Sequence, residues 1–242
     1  MSKSKPPWAS GPGEILRHGI DLLSNESDTN RRLAMINIDN SVELMIKTYL
    51  GLPKRVTGLE ISRKELSEAE SFPALLDALE KYVTDKLDGI ELGEIEWYHR
   101  LRNQLYHQGN GLTVERDKVE IYAQLANTLF RNLFGYYLVQ RVSSRSDNLG
   151  QFMAAWTSIE KRLRRLAREN APPNRRPTGL FDVFRLFRMA NVMPPKEIDE
   201  LERLRQIRNA VVHGESDLET TLTPEIMDQA RKYAVRFDQP SY

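Results

Sequence analysis

The chain contains the pattern Arg-Asn-x-x-x-His twice, as Arg102-Asn103-Gln104-Leu105-Tyr106-His107 and as Arg208-Asn209-Ala210-Val211-Val212-His213. We call these the first and second hexapeptides. They contain two of the 4 histidines in the 242-residue sequence. Each ends a segment in which apolar residues recur with helical spacing, so each is predicted to close an amphipathic helix. One short pattern easily arises by chance, but two copies in matching positions indicate a duplicated helical unit.

The segments around the hexapeptides also have helical periodicity, and none has a convincing alternating β pattern. We therefore predict an all-α protein of two tandem up-and-down helical bundles. The polar segment 143–148 predicts the boundary between them, which gives domains at 13–142 and 149–242 after a flexible tail at 1–12. Within the domains, the apolar periodicity and the turn residues predict helices that include 92–107, 114–142, 149–170, 180–190 and 196–213.

A second similarity between the halves lies upstream of the hexapeptides. The pattern Ser-apolar-Glu-x-x-x-basic occurs at 41–47 and again at 158–164, which aligns Glu43 with Glu160. Each glutamate precedes a basic residue by four positions, the spacing of a surface ion pair on a helix. The alternative interpretation is that Glu43 and Glu160 orient the hexapeptide arginines from a neighbouring helix.

The composition is that of an ordinary globular protein, with 40% hydrophobic and 29% charged residues. There is no cysteine, which excludes disulfides and cysteine-ligated zinc. No apolar run approaches the roughly 20 residues that a membrane-spanning helix needs, and the polar N-terminus lacks the apolar core of a signal peptide. We therefore expect a cytoplasmic protein that does not enter the membrane.

Charge is unevenly distributed although the net charge is only +1. A basic strip at 161–188 holds nine lysines and arginines, whereas the segment 60–96 is mainly acidic. The strip predicts a track for the backbone of RNA. Its expected RNA contacts are Arg162, Arg165, Arg168, Arg175 and Arg176. The alternative is a solvated helix face, or one that pairs with the acidic segment.

The residue types in the hexapeptides fit RNA cleavage without a metal. Arginine binds phosphate and the charge that develops on it, and histidine transfers protons near neutral pH. Asn103 and His107 are four residues apart and share a helix face. With two such helices, one histidine would take the 2′-OH proton and the other would protonate the leaving 5′-oxygen. The alternative is that these side chains only cap the last carbonyls of their helices.

Other side chains and motifs receive no chemical role from the sequence. His18 and His99 belong to no pattern, and the large aromatic residues are expected in the core rather than against RNA bases. These are Trp97, Tyr106, Trp156 and the stripe Phe181, Phe184 and Phe187. No glycine-rich phosphate loop and no metal-binding motif occurs, so neither a cofactor nor a metal is predicted.

The two hexapeptides resemble the Arg-x(4–6)-His motif of the HEPN superfamily, the "higher eukaryotes and prokaryotes nucleotide-binding" helical domains. Asparagine after the arginine is typical of that motif, and the helix order fits as well. The resemblance covers nearly the whole chain as two tandem domains. It departs from one toxin subfamily, in which a tyrosine that is a target of inactivating nucleotidylation follows two residues after the histidine. Gly109 and Glu215 occupy those positions here.

The resemblance implies a function. Many HEPN domains are metal-independent endoribonucleases of toxin–antitoxin, abortive-infection and CRISPR systems, and they pair two domains to build one site. The implied catalytic residues are Arg102, His107, Arg208 and His213, with Asn103 and Asn209 in support. The implied partners are RNA, a second copy of the chain in a homodimer, and an antitoxin or sensor protein. Two other functions stay open: a non-catalytic helical adaptor that binds RNA or a protein, and a nucleotide-binding regulatory domain.

Overall fold

The structure is a computed structural model that describes residues 6–25, 27–107, 113–139, 147–172 and 179–238. This part of the chain contains twelve α-helices and no β-strand, so the all-α prediction is confirmed. The chain divides into two compact units, Met1–Arg145 and Ser146–Tyr242. We describe each unit by itself.

The first unit is built around one long central helix. Its helices are α1 (Ser10–Leu22), α2 (Asp28–Gly51), α3 (Lys54–Thr57), α4 (Arg63–Glu68), α5 (Phe72–Val83), α6 (Leu92–His107) and α7 (Arg116–Phe134). Ser27 begins α2 by accepting a hydrogen bond from the backbone N–H of Asn30 at 3.0 Å. Helix α2 then packs against α1, α5, α6 and α7. It therefore contacts the hexapeptide helix α6 and both helices that pack against α6.

The N-terminal end of the first unit differs from the predicted tail at 1–12. A short 3₁₀ turn covers Pro7–Ala9, and α1 begins at Ser10. Pro12 is buried, and its carbonyl accepts a hydrogen bond from the buried Ser41 hydroxyl on α2 at 2.7 Å. A Cβ placed on Gly19 would lie 3.0 Å from Ile38 Cγ1, so α1 and α2 approach each other closely at this glycine. The apolar contact with α2 orders residues whose own sequence is polar and proline-rich.

The predicted helix at 114–142 is shorter in the structure, because α7 ends at Phe134. Gly135 follows in the left-handed conformation with φ 83°, and its N–H bonds to the Arg131 carbonyl at 2.8 Å. This is a glycine helix stop. The aromatic residues beyond it continue the apolar pattern without continuing the helix: Tyr136 packs edge-on against Phe130 with centroids 5.3 Å apart.

The described residues of the second unit form five α-helices. They are α8 (Asp147–Asn170), α9 (Leu180–Ala190), α10 (Pro195–Val212), α11 (Leu218–Thr221) and α12 (Pro224–Asp238). Helix α8 packs against α9 and α12, and α9 packs against α10. Phe184 and Phe187 are fully buried as predicted, whereas Phe181 is 64% exposed. The core prediction was therefore wrong for one residue of this stripe, because Phe181 faces solvent from α9.

None of the helices that the structure describes is long and apolar enough to cross a membrane.

Candidate functional site

Both hexapeptides end long helices, as predicted. The first occupies the last six residues of α6, and the predicted limits of 92–107 agree with the structure. The second ends α10: His213 is its C-cap, and Gly214 follows with φ 64°. The N–H of Gly214 bonds to the Val211 carbonyl at 3.0 Å and that of Glu215 to the Ala210 carbonyl at 2.9 Å. This Schellman arrangement fixes the half-buried His213 at the helix end. For His107 the structure describes only the backbone, and Gly109 lies outside the described residues.

A buried carboxylate on α2 is the centre of the first site. Asp39 is 0% exposed and lies against side chains from two other helices. Its Oδ2 is 2.9 Å from Arg102 Nε and 3.0 Å from His99 Nδ1, both on α6. Its Oδ1 accepts a hydrogen bond from the Tyr122 hydroxyl on α7 at 2.8 Å. One buried negative charge thus joins three helices at the end of the hexapeptide helix, and it requires such partners to be stable there.

The Arg102 guanidinium is fixed by three contacts. Besides the ion pair with Asp39, Nη2 donates to Asn40 Oδ1 at 2.5 Å and Nη1 donates to Asn103 Oδ1 at 2.9 Å. A guanidinium has five N–H groups, and these contacts with described residues occupy only some of them. The side chain is 18% exposed. Arg102 is therefore a cation held in one orientation with part of its surface open to an anion.

Two aromatic residues hold the other donors of Asp39 in place. The Phe72 ring lies parallel to the His99 imidazole with a centroid distance of 3.8 Å and an angle of 7°. Tyr122 stacks on Tyr98 at 4.6 Å. Burial, and then the negative charge of Asp39, raise the pKa of the Tyr122 hydroxyl well above its ordinary value. Tyr122 consequently remains a neutral O–H donor to the carboxylate over the whole physiological pH range.

Glu43 forms the surface ion pair that its spacing predicted, rather than the alternative contact with the first hexapeptide arginine. The side chain of Glu43 is 29% exposed, and its carboxylate pairs with Lys47 at 2.5 Å on the surface of α2. Asp39, one helical turn earlier, contacts the arginine instead. Asp39 and His99 were therefore missed by the sequence analysis. The spacing of three residues between His99 and Arg102 was the available signal, because it places both on one face of α6.

The counterparts of Glu43 and Arg102 in the second unit are both buried. Glu160 on α8 is 0% exposed and Arg208 on α10 is 1% exposed. Glu160 Oε1 lies 2.7 Å from Arg164 Nη2, and Oε2 accepts a hydrogen bond from Trp156 Nε1 at 3.1 Å. Glu160 does pair with the basic residue four positions later, as the spacing predicted, but its carboxylate lies inside the unit rather than on the surface. That it orients Arg208 stays a prediction, as does a supporting role for the half-buried Asn209.

The basic strip is partly available for an external partner. Arg165, Arg168 and Lys161 are exposed along α8, whereas Arg162 is half-buried. Arg175 and Arg176 lie outside the described residues. Further along the strip, Arg185 pairs with Asp182 at 2.8 Å, and Arg188 pairs with Asp199 and Glu202 at 2.8 and 2.7 Å. We call Lys161, Arg165 and Arg168 the exposed ridge. The prediction placed Arg162 there instead of Lys161.

Among the described residues, no group of three or more histidine, aspartate and glutamate side chains could hold a metal ion. Comparison with known proteins adds no assignment, since no protein-family model, curated protein or solved structure matches the chain.

Proposed function

We propose that this protein is a metal-independent endoribonuclease whose phosphate-binding centre is the Arg102 site. The observation that carries the proposal is the combination of a repeated Arg-Asn-x-x-x-His motif with an arginine that is anchored on buried Asp39 and still 18% exposed. A cation fixed before the substrate arrives stabilises a charged transition state without having to be reorganised during the reaction. The resemblance to HEPN ribonucleases supports this chemistry and a role in bacterial defence or a toxin system.

The proposed reaction is a transesterification within the RNA backbone. One histidine of the hexapeptides removes the proton of the ribose 2′-OH, whose oxygen then attacks the adjacent phosphorus. The bond from phosphorus to the 5′-oxygen breaks, and the second histidine gives that oxygen a proton. Arg102 donates hydrogen bonds to the phosphate oxygens while their charge increases. The products are a 2′,3′-cyclic phosphate and a free 5′-hydroxyl.

The two arginines have different parts in this proposal. Arg102 is the one that contacts the phosphate. Arg208, at 1% exposure, could meet an anion only after the core of the second unit opened. Its burial favours a structural role, so we assign the second unit's contribution to the half-buried His213 and to the exposed ridge Lys161, Arg165 and Arg168.

Cleavage of total RNA in the presence of EDTA tests the proposal. We expect cleavage to persist, the new ends to carry 2′,3′-cyclic phosphate, and an all-deoxy substrate to remain intact because it has no 2′-OH. His107→Ala and His213→Ala should each lower the rate by about 10²-fold, the usual effect of losing a general acid or base. His18→Ala is the matched control, since His18 is exposed on α1 and has no part in the site. A requirement for Mg²⁺ would contradict the mechanism.

Mixing the two histidine variants tests how the motifs pair. If a His107 of one chain works with a His213 of another, a mixture of the two inactive variants regains activity, because some mixed dimers hold one intact site. If the pair lies within one chain, the mixture remains inactive. If His213→Ala alone is fully active, the site consists of two first hexapeptides in a homodimer.

A second candidate function is a non-catalytic helical adaptor that binds RNA or a partner protein such as an antitoxin or sensor. The burial of Arg208 favours it, as do two exposed apolar side chains on α9, Phe181 at 64% and Met189 at 76%. Such side chains are often found at protein interfaces. Specific RNA or protein binding by the wild type with no detectable cleavage, and no change on His107→Ala, would favour this function over the nuclease.

A further inference from the structure

Tyr106 is the most exposed aromatic residue that the structure describes. It lies inside the first hexapeptide and is 65% exposed, whereas the preceding Leu105 is buried. An aromatic ring contributes most to stability when it is buried. The prediction that Tyr106 lies in the core was therefore wrong, and most of its ring is open to solvent at the end of α6.

The ring is close to the open arginine along the helix. Tyr106 follows Arg102 by four residues, which in an α-helix corresponds to about 40° around the axis and about 6 Å along it. The two side chains thus share one helix face. Because Asp39, Asn40 and Asn103 hold the guanidinium, an anion bound to Arg102 would have a defined position beside Tyr106. The rise between the two positions is short enough for a single nucleotide to contact both side chains.

The second hexapeptide differs at both of these positions. Val212 occupies the place of Tyr106 and is 0% exposed, and Arg208 occupies the place of Arg102 and is 1% exposed. A helix that ends in this motif therefore does not need an aromatic residue at this position. In the first unit the arginine and the aromatic ring at these two positions are both accessible. In the second unit the arginine is buried, and a buried valine replaces the aromatic residue. This joint difference indicates that the two groups serve the same ligand.

We propose that the Tyr106 ring stacks on the nucleobase next to the phosphate held by Arg102. Stacking on an aromatic side chain accepts any base, because every base has a π face, and it requires a base that is not stacked between its neighbours in a duplex. Tyr106 thereby positions the nucleotide at the point of cleavage without reading its sequence. This inference rests on the proposed function for its phosphate site, but the stacking contact is measurable without any cleavage.

The test uses a single-stranded oligonucleotide with 2′-O-methyl groups throughout, which can bind but lacks the attacking hydroxyl. Fluorescence anisotropy gives the Kd for the wild type, Tyr106→Phe and Tyr106→Leu. Phenylalanine keeps the π face, so its Kd should stay near that of the wild type. Leucine removes the π face, and its Kd should rise about 10-fold or more, within the range measured for loss of one base–aromatic stack. Tyr137→Leu, at a residue with 52% exposure outside the hexapeptides, is the matched control and should leave the Kd unchanged.

A substrate change then identifies the contact. An oligonucleotide of the same length without bases has nothing to stack on the ring. The wild type and Tyr106→Leu should therefore bind it with the same Kd, whereas Tyr106→Leu should bind the complete oligonucleotide more weakly than the wild type does. With cleavable RNA, Tyr106→Leu should raise KM more than it lowers kcat.

The outcomes separate the two proposals. Equal Kd values for the wild type and Tyr106→Leu overturn the stacking proposal even if the protein cleaves RNA. A Tyr106-dependent Kd in a protein that never cleaves RNA supports stacking and overturns the nuclease. If the abasic oligonucleotide loses as much affinity from Tyr106→Leu as the complete one does, Tyr106 contacts the backbone and the stacking proposal is wrong.

Discussion

Replacing Asp39 by asparagine should both destabilise the first unit and disable the proposed site. The carboxylate is 0% exposed and faces Arg102 at 2.9 Å, His99 at 3.0 Å and the Tyr122 hydroxyl at 2.8 Å. Asparagine keeps one oxygen as an acceptor but places an N–H₂ group against two donors. Removing one member of a buried ion pair typically costs about 3–5 kcal/mol, because the remaining charge stays buried without compensation. For a unit of this size, that corresponds to a fall in Tm of about 10–15 °C.

Two further variants calibrate this expectation. Tyr122→Phe removes a single hydrogen bond to the carboxylate and should cost about 2 kcal/mol, the scale for a hydrogen bond to a charged group. Glu43→Gln, one turn further along α2, breaks a surface pair in which the glutamate side chain is 29% exposed. It should change the free energy of unfolding by less than about 0.5 kcal/mol.

Hydrogen exchange measured by peptide is a suitable assay, because it reports the opening of α2, α6 and α7 separately from the second unit. Cleavage by the folded fraction of Asp39→Asn should fall by about 10²-fold, the scale for a misplaced catalytic group. If Asp39→Asn is as stable as Glu43→Gln, the buried ion pair does not hold the three helices together. If it is destabilised but cleaves RNA at the wild-type rate per folded molecule, Asp39 supports the fold and does not position Arg102.

Three other expectations follow from the second unit. Replacing Lys161, Arg165 and Arg168 with alanine should weaken binding to all RNA sequences and flatten the log–log salt dependence by about 0.7 per lost phosphate contact, whereas a loss of Tm at unchanged RNA affinity would mean that the ridge is structural. Arg208→Ala should destabilise the second unit by about 3 kcal/mol or more in urea unfolding, because Arg208 is 1% exposed; unchanged stability would restore a purely catalytic role. The Tyr233 hydroxyl holds the pKa of the Glu200 carboxyl below its usual 4.5, so the paired carboxylate stabilises the folded state above that pH and the contribution is lost as the pH falls through the lowered pKa. Glu200→Gln should accordingly show less loss of Tm on acidification than the wild type, and an equal loss in both proteins would contradict this assignment.

Local sequence patterns were sufficient to predict which segments are helical, but not where every helix ends. The limits 92–107 and 180–190 are those of α6 and α9 in the structure. The helix predicted to reach residue 142 ends at Phe134 instead, because Gly135 can adopt φ 83° at no steric cost while the aromatic pattern continues beyond it. Apolar periodicity reports which residues face the core, and it does not report where the backbone turns. A glycine inside such a pattern is the better guide to a helix end.

The site was harder to predict because its central charge is on another helix. The arginine of the first hexapeptide needs a carboxylate, and the aligned Ser-apolar-Glu pattern offered Glu43 only as an alternative to its surface ion pair. Asp39 lies four residues earlier and so has nearly the same direction on α2, but only its position reaches the interface with α6 and α7. Asp39 and Glu43 lie on one face of α2, and the one that is buried is the one at the level where α6 and α7 cross α2. That level is a tertiary property, which a single sequence does not contain.

The difference between the two hexapeptide arginines is the strongest reason to propose the phosphate-binding site in the first unit. The sequences agree at arginine, asparagine and histidine, so the pattern alone gives both copies the same role. Their surroundings differ: the Arg102 side chain is 18% exposed beside Asp39, whereas Arg208 is 1% exposed in the core of its own unit. A cation sealed from solvent stabilises the carboxylates and carbonyls around it, and a cation with an open edge can exchange water for phosphate. We therefore expect substitutions at Arg102 to reduce RNA cleavage out of proportion to their effect on stability, and substitutions at Arg208 to do the reverse.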